Sequence, residues 1–166
     1  MTRTSGVAER SPSWSPDGKW IAYFSDITGE YELYIKQSDG KGETRRLTED
    51  GKVFRYNPIW SWDSQYIVFT DKTGAIHLHK VQTGETTPID QDSRASRPSI
   101  SWSHDSSWIA YDKQKDDLSG ISSIWLFEVS TGQRHQVTDD MFNDTSPAFD
   151  RKGEYLYFAS NRQFGS

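Results

Sequence analysis

This sequence predicts an all-β fold: a β-propeller fragment of three four-stranded antiparallel blades plus half of a fourth. Three observations predict it. First, the phrase Ser11–Phe24 (SPSWSPDGKWIAYF) returns as Pro58–Phe69 (PIWSWDSQYIVF), Ser101–Tyr111 (SWSHDSSWIAY) and Pro147–Phe158 (PAFDRKGEYLYF). Second, its two aromatic anchors recur in step. Trp14, Trp60, Trp102 and Phe149 are 46, 42 and 47 residues apart, and so are Trp20, Tyr66, Trp108 and Tyr155. Third, short apolar runs alternate with Pro, Asp and Gly turns, and no i, i+3, i+4, i+7 apolar pattern is sustained, as a helical repeat would require. A single sheet cannot cover both of its apolar faces, which is why such units come in series.

Residues 1–10 read as the tail of a preceding blade, because Thr2 stands where later repeats have Leu47-Thr48 and Val137-Thr138. The chain thus reads as cut from something longer, and its terminal Gly165-Ser166 fits a cloning scar. The first blade spans 11–55. Pro12–Ser15 forms strand a, Pro16-Asp17-Gly18 is a turn with strong local chemistry, and Trp20–Ser25 is strand b. A polar loop through Gly29 leads to strand c, Glu32–Gln37, with Leu33 and Ile35 on one face. Asp39-Gly40 turns into strand d, Thr44–Thr48. The second blade, 56–96, has strand b at Tyr66–Thr70, strand c at Ala75–Val81 with Ile76 and Leu78 inward, and strand d at Thr86–Ile89. The third, 97–144, has strand b at Trp108–Asp112, a longer loop over Lys113–Ser122, strand c at Ser123–Val129 and strand d at Arg134–Thr138. The half blade, 145–166, keeps strand a around Pro147–Phe149, a Lys152-Gly153 turn and strand b at Tyr155–Ala159.

Composition narrows the function classes. The 166 residues are one third apolar, but 7 Trp, 8 Tyr and 8 Phe supply an aromatic core. A net charge of −5 argues against a nucleic-acid surface. The absence of Cys removes disulfides, thiolate chemistry and Cys-based zinc sites. No apolar run is long enough to span a membrane as a helix, and the first ten residues lack a secretory h-region. A cytoplasmic location is the expectation that follows.

The aromatic anchors read as inter-blade packing, since their spacing tracks the repeat. Asp17, Asp63 and Asp105 recur three residues after each Trp and read as turn acceptors for neighbouring N–H groups. His77 and His79 share one face of a strand, a geometry able to pair on a metal. No third ligand is apparent, and their alternation with Ile76 and Leu78 points to a solvent-side face instead. His104-Asp105 beside several Ser suggests a triad, yet there is no G-x-S-x-G elbow, and sequence neighbours rarely make that geometry. No catalytic residue, metal or cofactor is therefore expected. The d-to-a loops remain, since loops on rigid scaffolds carry recognition. They offer Arg10, Arg55, Tyr56, Arg94 and Arg97, beside Asp144, as residues facing a peptide carboxylate or a protein partner.

The run W-S-P-D-G-K-W-I-A-Y, then E-L-Y-I, then R-R-L-T resembles the TolB-type, WD-repeat-like blade. Over essentially the whole chain, and especially at Phe54-Arg55-Tyr56 and Ser122–Trp125, it resembles the propeller region of tricorn-type proteases. In that family two propellers precede a PDZ-like and a serine-protease part, and the larger propeller has seven blades. The resemblance implies a non-catalytic piece of that larger propeller, a scaffold or gated channel for peptides. Trp62 replaces the motif's Pro, Ser64 and Ser106 replace its Gly, and Lys152 replaces its Asp, all in a–b turns. The rival readings are a stand-alone TolB-type interaction module and, last, an independent enzyme. Three and a half blades also leave faces and edges uncovered, so self-association into a homo-oligomer is expected.

Overall fold

The computed structural model describes residues 6–49, 51, 53–117 and 119–162; Thr2, the rest of 1–5 and Gly165-Ser166 lie outside them. Fourteen strands follow in order: β1 (Glu9–Trp14), β2 (Trp20–Ser25), β3 (Glu32–Gln37), β4 (Arg45–Arg46), β5 (Arg55–Trp60), β6 (Tyr66–Asp71), β7 (Ala75–Lys80), β8 (Thr86–Gln91), β9 (Ile100–Trp102), β10 (Trp108–Gln114), β11 (Ser122–Glu128), β12 (Arg134–Gln136), β13 (Asp144–Phe149) and β14 (Leu156–Ser160). They form antiparallel sheets β1-β2-β3-β4, β5-β6-β7-β8 and β9-β10-β11-β12 and a two-stranded sheet β13-β14. This is the architecture of a propeller fragment. Two compact units divide the chain, Met1–Pro88 and Ile89–Ser166.

The a–b turns explain why the phrase repeats. In the first blade Ser15 Oγ donates to Asp17 Oδ1 at 2.5 Å and accepts the Trp20 N–H at 2.9 Å, while Asp17 Oδ1 accepts the Lys19 N–H at 3.0 Å. Ser61, Asp63, Gln65 and Tyr66 reproduce these bonds, as do Ser103, Asp105, Ser107 and Trp108. The departures from the motif leave this geometry intact. Ser64 (φ 61) and Ser106 (φ 62) adopt the left-handed conformation that Gly18 (φ 72) and Gly153 (φ 71) hold at the same position. Asp150 replaces the serine of the last turn and accepts both the Tyr155 and the Lys152 N–H groups, so Lys152 can stand where Asp does elsewhere.

Strand a starts earlier than its proline suggests. Ser11 (φ 52), Asn57 (φ 44) and Ser146 (φ 57) are left-handed, each just before a Pro, and the pairing of strands a and b shifts there. A proline cannot donate to the ladder, and a bulge accommodates it without ending the strand. Arg10 and Glu9 therefore still pair with Phe24 and Ser25. In the third blade Pro98 lies four residues before Trp102 instead of two, and β9 is a regular three-residue strand. At the other end of that blade, Lys113, Gln114 and Ser122 belong to strands, so the b–c loop is shorter than expected.

In the first unit, Ala22, Phe24, Leu33 and Ile35 on one face of β2-β3 form a buried core with Trp60, Ile67 and Phe69 of β5-β6. Each such burial is worth about 1.5–3 kcal/mol. The Trp60 indole N–H donates to the Ser13 carbonyl at 3.0 Å, and the Phe24 and Phe69 rings meet edge to face at 5.8 Å. Strand c is covered on both faces, since Glu32 and Tyr34 are buried with Leu33 and Ile35. In the second unit, Trp102, Ile109, Tyr111, Ile124 and Phe127 are buried. Asp112 of β10 ties the residue before β9 to β13 by accepting the Ser99 N–H at 2.8 Å and the Ser146 N–H at 2.9 Å.

The anchor series is not uniform. Trp60 and Trp102 are 6% and 5% exposed, whereas Trp14 is 60% and Tyr155 is 61%. Trp20, Tyr66, Trp108 and Phe149 are half-buried. Trp60 is buried against the first blade, and Trp14 has no sheet before it among the described residues.

Candidate functional site

Of the five loop residues expected to face a partner, Arg55 is placed otherwise. It opens β5, only 5% exposed, and its Nη1 lies 2.6 Å from Glu32 Oε2 and 2.6 Å from Thr48 Oγ1. Glu32, 1% exposed, also accepts the Gly51 N–H at 2.6 Å, an Arg46 N–H at 3.2 Å and the Thr48 hydroxyl. Burial pushes the Glu32 carboxyl up, but the Thr48 hydroxyl, the Gly51 amide and Arg55 together outweigh it and hold the pKa below its ordinary value. The reading of Arg55 as a solvent-facing residue is thus corrected: it is a buried tie between the first two blades. The sequence did carry a signal for it. Glu32 stands where the other blades have Ala75 and Ser123, and Arg55 where they have Glu9 and Asp144. Two departures of opposite charge mark a pair.

Arg10 and Tyr56 both contact Phe54. The Arg10 guanidinium lies 5.4 Å from the Phe54 ring centre and 5.6 Å from that of Tyr31. Tyr31 packs on Phe54 at 4.7 Å, and Phe54 on Tyr56 at 5.0 Å. Arg10 is exposed and the three rings are half-buried. Cation–π contact holds the guanidinium plane against the rings and leaves its N–H edge for a carboxylate. Tyr31 was not singled out from the sequence, because its b–c loop meets the d–a loop only through the pairing of the two blades.

In the second unit, Arg94 and Arg97 are exposed. The buried Asp92 organises their loop by accepting the Arg94 N–H at 2.8 Å, the Gln114 N–H at 3.3 Å and the Ser96 hydroxyl. Asp90 gathers the Tyr111 hydroxyl (2.8 Å), Lys113 (2.9 Å) and Arg134 (2.6 Å). Asp144 is fully buried and paired with Arg162 at 3.2 Å.

The histidines take other roles than a solvent-side pair. His79 is completely buried, with Nδ1 2.8 Å from Thr86 Oγ1, because its face of β7 is covered by the first blade. Burial first, then the charges of Arg45 and Arg55, lower its pKa to about 4. His77 stacks on Phe69 and lies 2.8 Å from Asp71. Among the described residues no three His, Asp or Glu side chains gather as metal ligands. The Asp105 carboxylate is taken up by Ser103 and Ser107 within its turn.

Comparison with known proteins places this geometry. The model of the tricorn protease second β-propeller domain matches residues 1–166. A Bacillus subtilis (strain 168) protein named uncharacterized peptidase YuxL is 29% identical over 153 residues, 90% of this chain and 21% of that protein. The chain thus spans about a fifth of that curated relative. The crystal structure of the tricorn protease superposes with a TM-score of 0.83 at 19% identity, covering 95% of this chain and 15% of that one. TolB from Acinetobacter baumannii superposes with a TM-score of 0.65 at 20% identity, covering 96% of this chain and 39% of that one. At these identities the two structures speak to the fold alone. The family match spans every residue, and the chain belongs to the family of the tricorn protease second β-propeller domain.

Proposed function

We propose that this chain is a non-catalytic scaffold of a tricorn-like serine protease, lining a route by which peptides reach a protease core. The observation that carries the reading is the patch of Arg10, Tyr31, Phe54 and Tyr56, which offers a guanidinium held against two rings, with the third packed on Phe54. Such a patch suits a peptide that presents a carboxylate next to an apolar side chain. The family match over the whole chain favours this reading over a TolB-type interaction module.

The test is titration of a fluorescent peptide ending in a free carboxylate after Leu or Phe. Saturable binding, weakened about tenfold by Arg10→Ala and by amidation of the peptide, is expected for one charge-assisted contact. Binding indifferent to both changes overturns the reading. So does peptide hydrolysis by the isolated chain that a serine-directed inhibitor abolishes.

A further inference from the structure

We propose that the buried Glu32–Arg55 pair positions the patch of Arg10, Tyr31, Phe54 and Tyr56, an inference that rests on that patch being the peptide site. Chain order carries the first part of the argument. Tyr31 immediately precedes Glu32, and Phe54 and Tyr56 flank Arg55, so all three rings of the patch are direct neighbours of the pair. Glu32 holds the loop between strand d of the first blade and strand a of the second at three points. These are the Thr48 hydroxyl at its start, the Gly51 amide at 2.6 Å and, at its end, Arg55 Nη1 at 2.6 Å. The same Arg55 nitrogen reaches the Tyr31 carbonyl at 3.4 Å. The loop lies tight against that residue, since a Cβ on Gly51 would stand 2.9 Å from the Tyr31 carbonyl oxygen. The Phe54 carbonyl accepts the Lys72 N–H at 2.8 Å, which fixes its backbone to the second blade. Held in this way, Phe54 meets Tyr31 at 4.7 Å and Tyr56 at 5.0 Å, and the Arg10 guanidinium lies over Tyr31 and Phe54.

Building a blade does not require this pair. Thr48 Oγ1 accepts the Leu33 N–H at 3.0 Å, and Thr138 Oγ1 accepts the Ile124 N–H at 3.0 Å in the third blade, so the latch between strands c and d is shared. Where Glu32 stands, the second and third blades have Ala75 and Ser123, and the Ser123 hydroxyl accepts the Trp125 indole N–H at 3.1 Å within its own strand. A buried ion pair adds little net stability over apolar residues of the same volume, because desolvation offsets the attraction. What Glu32 and Arg55 supply instead is the path of one loop. A binding geometry is as precise as the groups that hold its side chains. Arg10 depends on that precision, since its guanidinium must stay against the rings while its N–H edge remains open to a carboxylate.

Arg55→Met and the double variant Glu32→Leu/Arg55→Met, made in the full 166-residue chain, test this. The double variant strands no buried charge, so it is expected to melt cooperatively near the wild type even where the single variant does not fold. The first readout is the ring-current shift of the Arg10 side-chain protons, identified by their loss in Arg10→Ala. In the wild type these protons are expected upfield of free arginine, and in both variants they are expected to return to the free value. The second readout is the ratio of affinities for the free and amidated forms of the peptide ending in Leu or Phe. That ratio is expected to be about tenfold in the wild type and about one in the variants. A pair that only stabilised the fold would leave both readouts unchanged in a double variant as stable as the wild type. A folded double variant that keeps the upfield shifts overturns the proposal, and so does a double variant that fails to fold. If the wild type binds no peptide, the reading of the site fails, while the ring-current shifts alone still decide the positioning.

Discussion

Replacing Arg55 by Met tests the buried tie between the first two blades. Arg55 is 5% exposed and Glu32 is 1% exposed, so the substitution leaves a carboxylate in the interior without its nearest cation. Breaking a buried pair from one side costs about 3–5 kcal/mol. Glu32 keeps the Gly51 amide at 2.6 Å and Arg46 at 3.2 Å, which places the expected loss at the lower end, about 3 kcal/mol. Met is an unbranched apolar side chain that fills much of the volume of the Arg55 stem, while the guanidinium, 5.4 Å from the Phe69 ring centre, is lost. The charge is therefore what is removed. Adding Glu32→Gln removes the stranded charge while keeping an acceptor for Gly51 and Thr48. The double variant should then recover about 2 kcal/mol relative to the sum of the single losses. Urea unfolding at pH 7, analysed with a common slope, measures all four corners of the cycle. The pH dependence carries a sign as well. The folded-state pKa of Glu32 lies below its ordinary value of 4.5, so its stabilisation is present above that pH and lost as pH falls through the folded value. The gap between wild type and Arg55→Met should accordingly narrow in acid. A single-variant loss under about 1 kcal/mol, or losses that add to within about 0.5 kcal/mol, refutes the reasoning.

Two further predictions concern the same interface. His79 has its pKa lowered from 6.5 to about 4, so between those values the unfolded chain binds a proton that the folded chain refuses. Stability should fall by about 2 kcal/mol between pH 7 and pH 5 on this account, and His79→Gln should flatten that slope; parallel slopes in the two proteins would contradict it. At Gly51, an added Cβ would lie 2.6 Å from Glu32 Oε1 and 2.9 Å from the Tyr31 carbonyl oxygen. Gly51→Ala should cost about 1–3 kcal/mol in thermal melts through this clash. Gly84 (φ +75) has nothing within 4 Å of an added Cβ, so Gly84→Ala should cost only about 1 kcal/mol of backbone strain. Equal losses at the two glycines would show that the crowding around Glu32 is not what matters.

Much of this protein is legible in its sequence because it rests on short-range chemistry. Strands b and c of the first blade fall at Trp20–Ser25 and Glu32–Gln37, the bounds that the apolar runs and turn residues predict. The Ser and Asp of each a–b turn bond within five residues of one another, so every repeat carries its own instructions. The bulge before each strand-a proline was less legible, since a proline reads as a strand boundary until its partner strand is known.

The candidate site divides along the same line. Arg10 and Tyr56 are visible as loop residues, but Tyr31 joins them only when two blades meet. Burial is the property of a neighbouring sheet and not of the residue. Identical repeat positions therefore leave Trp60 at 6% exposure and Trp14 at 60%, and strand alternation alone could not tell that both faces of β7 are covered. Arg55, placed by sequence on a loop beside other arginines, is taken inward by an acid 23 residues away. By itself the sequence determined the repeating unit, its turns and its family. Tertiary structure decided which charges are locked inside and which aromatic faces remain open, because those depend on long-range contacts that a linear pattern does not encode.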